Sequence, residues 1–284
     1  SKYPMQLAQG STFNGFFNNY DGLASGLQPI GVKYDDASRK VVCTLEQDDI
    51  MDGLNWLHKW YQDGIINPDA NVVTDGGKGS IFGSAQGWPA AATTWAFNSG
   101  IEKYDLTQVF GPLYTTETIQ GSMNAISANS KYKTEALKVL QLMNTDSKFR
   151  DMCAYGTEGN YMEYAEDGTV QKLRDDWNWP SYTQGTFFIL STQADGDPDA
   201  WNQVKEQNES ATASTCLGFA LDVTNIQNEI ANCNTVWDKY KNDLLTGASD
   251  PATAVPACIE ELKAAGLDTV IEEAQKQVDE FFAN

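Results

Sequence analysis

Between Val32 and Ala70 the apolar positions change their period twice. Val32-Lys33-Tyr34 and Lys40-Val41-Val42-Cys43-Thr44-Leu45 have the β-branched and alternating character of short strands, and Asp35-Asp36-Ala37-Ser38 between them is turn chemistry. A β-hairpin is predicted. The spacing then lengthens. Ile50, Leu54, Leu57 and Tyr61 recur four, three and four apart, which predicts an amphipathic helix capped by Asp48 or Asp49. Gly64 supplies the left-handed stop before Ile65-Ile66-Asn67-Pro68-Asp69.

The same helical period returns in Asn225 to Leu245, through Ile226, Ile230, Cys233, Trp237, Tyr240 and Leu244. Asp250-Pro251 predicts a cap followed by a first-turn proline, with Val255, Ile259 and Leu262 buried until Gly266. Asp268 is then expected to cap a last helix carried by Val270, Ile271, Ala274, Val278 and Phe281. The middle of the chain reads differently. Gly83 to Gly111 and Glu163 to Asp199 are rich in Gly, Pro, Trp, Tyr and Asp, with Thr186-Phe187-Phe188-Ile189-Leu190 as a short strand between turns. Long irregular segments on a rigid scaffold are where binding residues concentrate.

The exit Lys59-Trp60-Tyr61-Gln62-Asp63-Gly64-Ile65-Ile66-Asn67-Pro68-Asp69-Ala70 resembles the second lobe of the extracellular solute-binding proteins of ABC importers, in the maltose-binding-like family. Gly121-Ser122-Met123-Asn124-Ala125-Ile126-Ser127, the helix Thr134 to Met143 and Tyr155-Gly156-Thr157-Glu158-Gly159 are similar to that family's return through its first lobe. The tail from Leu217-Gly218-Phe219, including Glu261-Leu262-Lys263-Ala264-Ala265-Gly266-Leu267-Asp268, is similar to the C-terminal region of LipO-type lipoproteins.

This resemblance spans nearly the whole chain through dispersed patterns. It implies an α/β, periplasmic-binding-protein type II fold, present as the second lobe plus the returning segment of the first, with the N-terminal part of the family fold absent. Residues 1–110 would be the first part of the second lobe, 111–159 the segment returning through the first lobe and hinge, and 160–284 the C-terminal part of the second lobe. Hinge bending is expected at Phe110-Gly111-Pro112 and near Gly156 to Gly159. The resemblance further implies a receptor that captures a solute, most simply an oligosaccharide, by inter-lobe closure and delivers it to ABC permease subunits, and a monomer is the default expectation. It implies no catalysis and no cofactor. It also places the protein on the extracellular face of the membrane, lipid-anchored through an N-terminal cysteine not present in this chain.

Charge narrows the partners. Nineteen basic against 39 acidic residues give a formal charge of −20, which repels phosphate backbones and anionic headgroups, so nucleic acid is not an expected partner. No apolar run approaches the about 20 residues needed to span a bilayer. Ser1-Lys2-Tyr3-Pro4 reads as neither a signal peptide nor an initiator methionine, which suggests an excised piece. The five cysteines, Cys43, Cys153, Cys216, Cys233 and Cys258, are scattered without metal-ligand spacing, as buried thiols or with a Cys233–Cys258 bridge between neighbouring helices.

Catalytic chemistry finds little material. The single histidine, His58, lies mid-helix among Leu57, Trp60 and Tyr61 and is expected to pack. Gly76-Gly77-Lys78-Gly79-Ser80 departs from a phosphate-binding loop because Gly79 intervenes between lysine and hydroxyl. Asp195, Asp197, Asp199 and Glu206 fall at positions one, three, five and twelve of a calcium loop, but Ala200 stands where glycine is needed and Asp197-Pro198 reads as a helix start bearing Trp201 and Val204.

The aromatic residues of the irregular segments are the functional candidates: Phe13, Phe16, Phe17, Trp88, Trp95, Trp177, Trp179 and Tyr182. Sugar rings stack their C–H faces on aromatic planes while a few polar groups take the hydroxyls. By resemblance, Phe13, Phe17, Trp88 and Trp95 border the cleft and Phe219 sits where the last cleft aromatic is expected, core filling being the alternative for each aromatic; Glu158, beside the expected crossing, either accepts hydroxyl hydrogen bonds or serves as a structural cap, and Trp179 is added from its aromatic segment. Rival readings are a secreted glycan-active enzyme with a carboxylate pair, or a carbohydrate-binding adhesion module. A peptide or another small solute is the alternative ligand.

Overall fold

The computed structural model describes residues 3–283 except 76–80, 90, 93, 94, 96–101, 103, 175, 178 and 195. In chain order its strands are Tyr20–Asp21 (β1), Ile30–Lys33 (β2), Val41–Cys43 (β3), Leu113–Tyr114 (β4), Met162–Tyr164 (β5), Val170–Lys172 (β6) and Thr212–Ala213 (β7). The helices are Asp48–Gln62 (α1), Thr116–Ile119 (α2), Lys133–Thr145 (α3), Ser147–Tyr155 (α4), Ala200–Glu209 (α5), Gln227–Leu245 (α6), Pro251–Ala264 (α7) and Leu267–Phe282 (α8). Two compact units result. The first holds Ser1–Gln86, Gln108–Thr118 and Thr212–Asn284, and the second holds Gly87–Thr107 and Ile119–Ala211.

In the first unit the predicted hairpin forms as β2 and β3, antiparallel with Ile30 opposite Cys43 and Val32 opposite Val41. Strand β1 adds to the other side of β2. The turn holds because Asp36 accepts hydrogen bonds from Ser38 N and from Lys40 N. Gln275 of α8 covers the open edge of β3, its Oε1 accepting from Val41 N at 2.8 Å; unpaired strand edges otherwise invite association.

Helix α1 starts at Asp48, with Gln47 rather than an aspartate at the cap position. Asp49 falls inside the first turn, where its carboxylate accepts from Tyr20 Oη at 2.7 Å and ties β1 to the helix. Gly64 has φ +72°, the left-handed stop expected of it. The exit after it is pinned by buried Asn67, which accepts from Leu7 N at 2.8 Å and donates to Leu7 O.

Helices α6, α7 and α8 pack on one another, α1 packs on α6, and α8 packs on β3. Their stripes meet in one core, where Ile30, Val32, Ile50, Leu54, Ile230, Trp237, Val255, Leu262, Val270 and Val278 are buried. Asp250 caps α7 as predicted, accepting from Ala252 N with Pro251 in the first turn. Asp268 does not cap α8: Gly266, at φ +109°, holds the cap position, and Asp268 lies in the first turn. The last turn of α6 meets α1 through Gly247, at φ +79°, where a Cβ would stand 2.3 Å from Leu57 O.

The second unit has a smaller core of Tyr155, Met162, Val170 and Leu190, with Phe187 and Trp201 packed against it. Much of its interior is polar. Arg150 is fully buried and donates through Nε to Thr186 O at 3.0 Å and through Nη2 to Ser181 O at 2.8 Å. Buried Asp151 accepts from Tyr164 Oη, Ser191 N and Ser191 Oγ. These bonds hold residues 181–191 in turns, so the strand expected over Thr186 to Leu190 does not form, and Leu190 N donates back to Phe187 O.

They also relocate a boundary. Residues 160–211 pack with 119–159 rather than with the C-terminal helices, because Met162, Val170 and Leu190 close on Tyr155. The division expected at 159/160 therefore falls at 211/212, and Gly156 to Gly159 lies inside the second unit instead of at a crossing. The segments that carry the chain out of and back into the first unit run side by side as the parallel pair β4–β7.

Candidate functional site

Helix α1 carries two adjoining stripes. Ile50, Leu54 and Leu57 face the interior, while Gly53, Trp56, Leu57 and Trp60, spaced i, i+3, i+4 and i+7, line an open groove of about 350 Å³ together with Phe13 and Phe16. Phe13 is fixed by its backbone N–H, which donates to Leu245 O at 3.0 Å. The Phe16 ring lies so close over the helix that a Cβ at position 53 would stand 2.8 Å from it. Any larger residue there would have to displace the ring. Trp60 meets Phe13 edge-on at 6.1 Å and Phe82 at 6.0 Å. Trp56 is 58% exposed, leaving an indole face open to solvent.

A second aromatic group belongs to the second unit. Half-buried Trp88 and Trp95 meet edge to face at 5.8 Å, and a Cβ at Gly87 would approach Trp95 to 3.4 Å. In the same unit Tyr161 packs on Trp177 at 5.2 Å, and the Arg174 guanidinium lies 4.7 Å above the Tyr161 ring. Trp177 donates its indole N–H to Cys153 O. Trp179 is half-buried, and its enclosed indole nitrogen has no hydrogen-bond partner among the described residues. Glu158 is exposed on the tight loop that Gly159 N closes on Met162 O. Burial, followed by the hydrogen bond to Asp151, pushes the Tyr164 phenol up.

The predicted site residues thus separate. Phe13 stands on the groove of the first unit, and Trp88, Trp95, Trp179 and Glu158 stand in the second. Phe17 and Phe219 are core residues instead, 6% and 4% exposed. Phe17 is enclosed by Phe16 and Trp237, and Phe219 packs against Phe281. Trp56 and Trp60 were not among the sequence candidates. Their signal was present as the i, i+4 pair beside Gly53 on the second stripe of α1.

The remaining chemistry resolves into structural roles. His58 Nδ1 is bonded to Gly247 O at 2.8 Å, joining α1 to the end of α6. All five cysteines are free, so the Cys233–Cys258 bridge does not form, and Cys233 Sγ donates to Leu262 O at 3.7 Å. Burial pushes the thiols of Cys43, Cys216 and Cys233 up to about 11 and that of Cys258 up to about 12. Asp197 accepts from Asp199 N and Gln203 Nε2, and Asp199 accepts from Asn202 Nδ2, so these carboxylates serve the start of α5. Asp195 and the loop from Gly76 to Ser80 lie outside the described residues. Among the described residues no three His, Cys, Asp or Glu side chains gather as metal ligands.

Comparison with known proteins places this geometry in context. A family model described as a domain of unknown function, DUF3502, matches residues 215–283. A carbohydrate ABC transporter substrate-binding protein of Streptococcus pneumoniae is 26% identical over 279 residues, 94% of this chain and 57% of that protein. The crystal structure of the N-glycan transport solute binding protein NgtS from the same organism aligns with a TM-score of 0.80 at 26% identity, over 94% of this chain and 61% of that one. Its complex with Man1GlcNAc aligns at 0.78 and 25%, over 94% and 62%.

The chain is a homologue of ABC-transporter solute-binding proteins. It spans about three-fifths of the length of these homologues. They are substrate-binding proteins rather than enzymes, the class that the sequence resembles. The DUF3502 match covers α6, α7 and α8, so it rests on the helices that close the first unit's core.

Proposed function

We propose that this chain is part of the extracellular receptor of an ABC importer and that it binds an oligosaccharide and delivers it unaltered to a membrane permease. The observation that carries the reading is its homology, over 94% of its length, to a solute-binding protein whose structure is known with Man1GlcNAc. The exposed aromatic surfaces support it. Pyranose C–H faces stack on indole and phenyl planes, and each such contact is favourable without any charged group. Phe13, Trp56 and Trp60 offer such planes in the first unit, and Trp88 with Trp95 offers them in the second. A protein of net charge −20 favours a neutral glycan over an anionic solute.

The reading is tested by saturation-transfer NMR of the chain with Man1GlcNAc and, separately, with an uncharged tripeptide. Transfer to the sugar's axial C–H protons, and none to the peptide, is the expected result. Transfer to the peptide alone would overturn the ligand class.

A further inference from the structure

The second unit encloses a positive charge without an ion-pair partner. Arg150 of α4 is 0% exposed, and among the described residues it forms no salt bridge. Its Nε and Nη2 donate to two backbone carbonyls, Thr186 O and Ser181 O. The neighbouring Asp151 carboxylate is taken up by Tyr164 and Ser191. The loop is pressed onto the guanidinium, since a Cβ at Gly185 would stand 3.0 Å from Nε. Nη1, buried as well, has no hydrogen-bond partner among the described residues. A buried charge ordinarily holds a counter-charge or a full set of hydrogen bonds.

Two indole nitrogens of the same unit, those of Trp179 and Trp201, are also buried with no hydrogen-bond partner among the described residues. Phe187 connects Trp201 to Arg150: the guanidinium carbon lies 5.6 Å from its ring centre, and Trp201 stacks on the same ring at 4.9 Å. Trp179 is tied in through Ser181, whose N–H donates to Trp179 O and whose carbonyl accepts from Arg150 Nη2. In the first unit the unpartnered buried side-chain atoms are instead oxygens, Asp21 Oδ2, Thr215 Oγ1 and Asn242 Oδ1. Guanidinium and indole nitrogens donate and never accept. The group that satisfies them must accept, and the charge of Arg150 favours one that is negative. We propose that the second unit binds a small monovalent anion, chloride, against Arg150 Nη1 and the Trp201 indole N–H, with the Trp179 indole beside them. Water fits the set less well. It brings two protons of its own, and among the described residues no buried side-chain acceptor of this unit stands unpartnered. The chain's net charge of −20 is no obstacle, because exposed charges beyond about 10 Å are screened at ordinary salt while an enclosed guanidinium is screened far less.

The test is amide hydrogen exchange on the full 284-residue chain, with sodium methanesulfonate, a bulkier monoanion, replaced stepwise by sodium chloride at fixed ionic strength. Amides of residues 181–191 should exchange about tenfold more slowly once chloride stands tenfold above its midpoint, while those of α6 to α8 do not change. Trp201→Phe keeps an aromatic ring on Phe187 and deletes one donor, so the midpoint should rise about tenfold or more while exchange without chloride stays that of the parent. A second readout needs no variant: the NMR line of chloride should broaden on addition of the chain and sharpen again when bromide displaces it. Exchange at 181–191 that ignores chloride would overturn the proposal and assign the orphan donors to water. Equal slowing in α6 to α8, which marks a general salt effect, would overturn it too, as would an unmoved midpoint in folded Trp201→Phe.

Discussion

The two units bury different things. The first closes a large apolar core over which three C-terminal helices, α1 and a small sheet share their stripes, while the second closes a smaller cluster of Tyr155, Met162, Val170 and Leu190 beside the Arg150 and Asp151 hydrogen-bond networks. Apolar burial is additive and undirected, so the first unit tolerates small errors of geometry. A buried polar network stabilises only when its members are satisfied, and Arg150 Nη1 has no hydrogen-bond partner among the described residues. With the smaller apolar core, the second unit should open first on heating. The aromatic residues divide along the same line: the larger core absorbs Phe17 and Phe219, whereas Trp88 and Trp95 are only half-buried.

Substitution of Trp237 should produce the greatest loss. Its ring is buried against Phe17, and its indole donates to Gln28 Oε1 at 3.1 Å, so Trp237→Ala should cost about 3–5 kcal/mol in urea unfolding of the first unit. Equal destabilisation of the second unit, read from exchange at α4, would break the comparison.

Alkaline pH should come next. Burial raises the Cys43, Cys216, Cys233 and Cys258 thiols from about 9 to about 11 or 12, so the folded chain favours their neutral forms. Their contribution is fully present below pH 9 and is lost as pH rises through 11 and 12. All four lie in the first unit, so its denaturation midpoint should fall faster with pH than that of the second. At neutral pH a thiol reagent should modify half-buried Cys153 before the other four.

Arg150→Met should act in the second unit alone. It leaves Ser181 O and Thr186 O without their donor, at about 1–3 kcal/mol, and should speed exchange over residues 181–191. Trp56→Ala should have the smallest effect on stability. The residue is 58% exposed, so unfolding should shift by no more than about 0.5 kcal/mol while Man1GlcNAc contact at the groove weakens.

What was legible in the sequence was local. The hairpin, α1, its Gly64 stop and the capped start of α7 each depend on residues within a few positions, and they form as the patterns predict. Asp49 and Asp268 fall inside their helices because a cap position is decided by backbone geometry that adjacent acidic residues do not distinguish. The strand expected at Thr186 to Leu190 is lost to Arg150, 36 residues away, whose guanidinium binds Thr186 O. No local pattern carries that information. The same limit governed the site. A phenylalanine in a Gly- and Asn-rich loop reads alike whether its ring turns out like Phe13 or in like Phe17, and only the position of Trp237 decides which. Trp56 and Trp60 went unselected because a helical stripe is first read as core.

The central claim is that indole faces left partly open in this chain hold a sugar. The most direct measurement is titration of Man1GlcNAc against indole N–H signals in a heteronuclear NMR spectrum of the chain, with Trp88→Ala and Trp95→Ala for assignment. The account predicts saturable shifts of the Trp88 and Trp95 signals in the millimolar range, with affinity lost in either variant. Unmoved indole signals, or equal affinity in both variants and the parent, would contradict it.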